Sequence, residues 1–176
     1  MKGMLSKRRS MVVSWVFIFL LITTIVGTVF GNEKLPEVPI IKVTQAPIID
    51  GKVDDQAWVE VACSYTGILS GWKNLWGDEL ITNQRVAYVG YDDQALYIAM
   101  TAFIEERLQL VKQSWDSDGM EVHLMVNDVY YQIGIHYDGD TMMGTSVPLY
   151  YLAETHVAEN YWSVEVAIPW GELGVN

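Results

Sequence analysis

The chain contains a single cysteine, Cys63, in 176 residues, so no intrachain disulfide framework is available and the fold must rest on its core. Cys63 itself reads as a buried, inert thiol. Internal repeats and low-complexity tracts are also missing. Basic residues are scarce, 11 against 22 acidic. Four of those 11 (Lys2, Lys7, Arg8 and Arg9) crowd the N-terminus, so the remainder carries seven basic and 22 acidic residues, a net charge of −15. That balance opposes nucleic acid and anionic membrane surfaces as partners. There is no G-x-S-x-G, no catalytic cysteine setting, no phosphate-cradling glycine loop and no H-E-x-x-H or cysteine–histidine zinc spacing. Glycoside hydrolysis needs two carboxylates at a defined separation across a cleft. Acidic residues are so plentiful here that some pair would always suit, and a non-enzyme is expected. A fragment of a larger enzyme is the alternative.

The four basic residues precede an uncharged apolar stretch, 11–30, followed by Gly31-Asn32. This is the layout of a secretory signal peptide, with Val29 and Gly31 at the −3 and −1 positions. A retained anchor is the alternative, because 20 uncharged residues can just span a bilayer. Either reading exports the rest of the chain to an extracellular, periplasmic or cell-surface location. Membrane contact is expected only through this segment, if it is uncleaved. The expected organisation is a leader over 1–31, a linker over 32–39 and one domain over 40–176, about the size that supports a single core.

Within that domain, short alternating runs separated by turn residues predict an all-β, antiparallel β-sandwich of jelly-roll type. A first strand is expected at 40–43. One helical turn over 54–61 would present Ala57 and Trp58 to the core. Val86, Tyr88 and Gly90 share one side of the next strand. Residues 95–103 are almost continuously apolar, as expected of a central strand covered on both faces. Met120, Val122, Leu124 and Val126 alternate with Glu121, His123, Met125 and Asn127. Tyr131, Ile133, Ile135 and Tyr137 alternate with Gln132, Gly134, His136 and Asp138. Val164, Val166 and Ile168 alternate with Ser163, Glu165 and Ala167. Only 105–113 has a helical alternative.

Four segments in this order carry a resemblance: IIDGKVDDQAW (48–58), VAYVGYDDQALYIAM (86–100), WDSDGMEVHLMVND (115–128) and YWSVEVAIPWGELG (161–174). Together they resemble the family 9 carbohydrate-binding modules and the wider sugar- or haem-binding sandwich domains. The resemblance implies a non-catalytic module that binds a saccharide or polysaccharide. It also implies further strands beyond Asn176, and hence a C-terminally truncated sandwich. In the family, W-x-x-D-x-x-E supplies a tryptophan that stacks on a sugar ring and a glutamate that binds its hydroxyls. Here that pattern falls on Trp115, Asp118 and Glu121. The chemistry is general: a pyranose offers C–H faces to an aromatic plane and hydroxyl edges to charged or amide groups.

Gln132 and His136, on the neighbouring strand's polar face, are the remaining rim candidates. The family's arginine position is Gly134 here, which leaves sugar specificity open. The family's second tryptophan has no counterpart, so Trp72 and Trp76 in the loop GWKNLWGD are candidates to replace it. Trp58 and Trp170 read as core plugs.

The resemblance also implies calcium, for which Asp116, Asp118, Asp138 and Asp140 are weak candidate ligands. None of the acidic clusters forms the twelve-residue calcium loop, and solvated turns are the plainer reading. Haem b is the rival cofactor, with His136 facing one of Met100, Met120, Met125, Met142 or Met143. An electron-transfer domain of that kind and a purely structural cell-envelope domain are the alternative functions.

Overall fold

The structure is a computed structural model that describes residues 37–73, 79–81, 85–104, 108, 114–145 and 147–175. The predicted helical alternative over 105–113 and the candidate Trp76 lie largely or wholly outside them. Residues from Val38 onward form one compact unit. Its elements are β1 (Ile41–Lys42), α1 (Gln56–Ser64), β2 (Ile68–Leu69), β3 (Arg85–Tyr91), β4 (Ala95–Phe103), β5 (Gly119–Val126), β6 (Val129–His136), β7 (Thr141–Met143), β8 (Leu152–Val157) and β9 (Tyr161–Pro169). A 3-10 turn, Trp170–Leu173, follows β9. Among the described residues no helix is long and apolar enough to cross a membrane.

The strands make two sheets. One runs β1-β3-β4-β9-β8 with β2 also on β3, and the other runs β5-β6-β7. Among the described residues every strand pairing is antiparallel except β1 with β3, which is parallel. That exception follows from the long crossover through α1 between the two strands. Between the sheets lies the main core. Leu96, Ile98, Met100 and Ala102 of β4 and Trp162, Val164, Val166 and Ile168 of β9 meet Met120, Val122, Tyr131, Ile133 and Ile135. The sandwich inferred from alternation is therefore present.

A second cluster explains why β4 is apolar throughout. Ala95, Tyr97 and Ala99 point away from the main core and are covered by Ala57, Trp58 and Val61 of α1 with Val43. The predicted helical turn is thus a nine-residue helix that buries Ala57, Trp58 and Val61. Cys63 lies on its outer side and is exposed, not buried as expected from its residue type. One helix face can cover only residues spaced three and four apart, and Cys63 is off that stripe.

The same covering buries two polar side chains of β9 that alternation alone would place in water. Ser163 and Glu165 have no exposed surface. Glu165 accepts from Trp58 Nε1 at 2.6 Å, Gly51 N at 2.9 Å and Asp50 N at 3.0 Å. The Ser163 hydroxyl donates to Gly51 O at 2.6 Å. Burial pushes the Glu165 carboxyl above its usual range, against the pull of its three N–H donors. These bonds pin the Asp50-Gly51 turn and α1 to the sheet. Gly51 itself has a φ of +84°, and a Cβ there would run into the Thr155 backbone.

Candidate functional site

The open face of the three-stranded sheet carries Glu121 and Gln132, with His136 at the end of the same strand as Gln132. β5 and β6 pair in register, Glu121 opposite Gly134, His123 opposite Gln132 and Gly119 opposite His136. Their hairpin closes through Asn127 and Asp128, both left-handed (φ 49° and 63°), as a two-residue turn between right-twisted strands requires. Strict alternation then sends Met120, Val122, Ile133 and Ile135 inward and leaves Glu121, His123, Tyr130 and Gln132 outward.

Trp115, in the loop before β5, lies against the backbone of Gly134. A Cβ built on Gly134 would stand 2.7 Å from Trp115 Cζ3 and 3.3 Å from Cε3. The indole therefore occupies the space that a side chain at 134 would fill, and it remains 38% exposed. Gly119 plays the same part for His136, whose Cδ2 would be 3.1 Å from a Cβ there. Two glycines on adjacent strands thus seat two rings.

Beside these rings, Glu121 Oε2 accepts from Gln132 Nε2 at 3.0 Å and lies 3.1 Å from His123 Nε2. His123 Nδ1 meets the Tyr130 hydroxyl at 2.6 Å. The result is a continuous polar row, Gln132–Glu121–His123–Tyr130. His123 and Tyr130 were not among the residues selected by motif. Their signal is their alternation with the core positions of β5 and β6, which puts them on the Glu121 face.

Trp115, Glu121, Gly134 and His136 line one small cavity of about 30 Å³. Gln132 does not line it but is bonded to Glu121, which does. His136 is only 2% exposed, deeper than a rim residue. Its backbone N–H donates to Asp140 O at 2.8 Å, and its Nδ1 stands 3.9 Å from Asp140 Oδ2. Space of that size holds one water. Trp72 is half-buried against the main core and does not line this cavity.

Asp116 and Asp138 are exposed, and Asp118 and Asp140 half-buried. Asp140 N donates to Asp138 Oδ1 at 3.1 Å, the side-chain bond of a tight turn. Among the described residues, no three His, Cys, Asp or Glu side chains are grouped to hold a metal ion.

No protein-family model and no curated protein matches the chain. Solved structures do. A family 9 carbohydrate-binding module from Caldicellulosiruptor kristjanssonii in complex with cellotriose is 17% identical with a TM-score of 0.58, covering 74% of this chain and 66% of that one. One from the same organism in complex with glucose is 16% identical with a TM-score of 0.59, covering 74% and 68%. The chain thus spans about two thirds of those modules' length. At such identity the likeness carries the architecture: this chain has the β-sandwich fold of the family 9 carbohydrate-binding modules.

Proposed function

We propose that the protein is an exported module that binds a saccharide on the open face of β5 and β6 without altering it. Trp115 carries the reading. A half-exposed indole seated against Gly134 offers an aromatic plane to a sugar's C–H face, at little cost in side-chain freedom. Glu121 accepts hydrogen bonds from sugar hydroxyls and Gln132 supplies an amide beside it. His136 lies lower and acts through a bridging water in the small cavity. The family 9 fold supports the ligand class, since both similar structures hold saccharides.

The test is a tryptophan-fluorescence titration of the full chain with glucose and cellotriose, with Trp115→Ala in parallel. A saturable change in the wild type that the variant loses is expected. A flat response from folded wild-type protein would end the saccharide reading.

A further inference from the structure

On the opposite side of the molecule, over the outer face of the six-stranded sheet, a second and larger cavity of about 240 Å³ is lined by Lys52, Asp54, Thr101, Phe103, Tyr161 and Ser163. Phe103 and Tyr161 are direct partners across β4 and β9, as are Thr101 and Ser163 one step inward. Phe103 is 59% exposed. The Tyr161 ring is backed by His156, with centroids 6.2 Å apart. An aromatic pair thus forms one wall and two hydroxyl-bearing residues the floor.

The other wall is the loop after Gly51, anchored at that glycine. Gly51 is fixed by Glu165, Ser163 and the Thr155 backbone. Lys52 Nζ is steadied by Asp50 Oδ2 at 3.1 Å. Lys52 and Asp54, two residues apart, put one cation and one anion on the same rim.

We propose that this cavity is a second saccharide site that takes a single neutral pyranose unit. Mixed charge on the rim disfavours a purely anionic or purely cationic ligand. A polyol uses both charges, because its hydroxyls donate to Asp54 and accept from Lys52. The aromatic wall takes the ring's C–H face. The volume is below the roughly 300–1,000 Å³ of sites for drug-sized ligands, which restricts it to one ring. The site shares no residue with the Trp115 face and stands or falls independently of it. Two sites on opposite faces would let one module bridge two glycan chains, with the gain in avidity that follows.

Isothermal titration of the full chain with cellotriose tests this. Two sites per chain are expected, with Phe103→Ala and Asp54→Ala each weakening one by about tenfold or more and Trp115→Ala removing only the other. If Trp115→Ala abolishes all binding, or Phe103→Ala and Asp54→Ala both change nothing, the second site is refuted while the first stands. Absence of any binding refutes both. Binding that survives Trp115→Ala but not Phe103→Ala refutes the first and keeps the second.

Discussion

Trp115 and Gly134 act as a matched pair, since the glycine is what lets the indole lie on the sheet. Gly134→Ala must displace the ring, so saccharide affinity should fall about tenfold. Stability should stay within about 1 kcal/mol, because the ring is part-exposed and can move outward. Titration calorimetry beside urea unfolding checks both. Glu165 is the opposite case, a residue whose removal leaves two buried donors, Trp58 Nε1 and Gly51 N, unsatisfied. Glu165→Ala should cost about 3 kcal/mol or more, and Trp58→Phe, which deletes one donor, about 1–3 kcal/mol. Denaturant midpoints read these directly. The spacing of Trp115 and Glu121 was legible in the sequence, and so was the face shared by Gln132 and His136. That an indole would fill the gap at Gly134 was not legible, because it depends on how a distant loop folds back. The role of Glu165 was hidden for a similar reason: alternation gives the face of a strand but not what covers that face.

At the scale of elements, β4 was readable as a doubly covered strand from its unbroken apolar run. β9 was not, since Ser163 and Glu165 mimic a solvated face until α1 and the Asp50-Gly51 turn are laid over them. That turn is demanding, and Gly51→Ala should destabilise the fold while leaving residual binding at Trp115 intact in the folded fraction. Thermal unfolding followed by titration separates the two effects. The β3–β4 hairpin has its own acid sensitivity. Burial opposes the charge on Asp92, but bonds from the Gln94 and Ala95 N–H groups and the Tyr97 hydroxyl outweigh it and hold the carboxyl below its usual 3.8. Tyr97 is pushed up to about 12 by its burial and by Asp92. A depressed carboxyl stabilises above its unfolded value, and this contribution is lost as pH falls through the folded one. Asp92→Asn should therefore lower stability near neutral pH and flatten the loss below about pH 4. Urea midpoints from pH 2 to 7 would show it.

For the molecule as a whole, the sandwich was legible because two layers of alternating strands are the standard way to bury one face of each sheet. The crossover that makes β1 parallel to β3 left no local signature, since two-residue strands carry no periodicity. The acidic surface bears on function too. Binding through a stacked ring and hydroxyl bonds releases few ions, so affinity for a neutral saccharide should change less than about twofold between 50 mM and 500 mM salt, despite the net charge. Docking of a saccharide on Trp115 beside Glu121 and Gln132 is tested most directly by an NMR titration of the full chain with cellotriose. Saturable shifts are expected at the Trp115 indole N–H, the Gln132 side-chain amide and the Gly134 and Glu121 backbone amides. Shifts that leave all four unmoved while the ligand binds elsewhere, or no shifts at all, would contradict it.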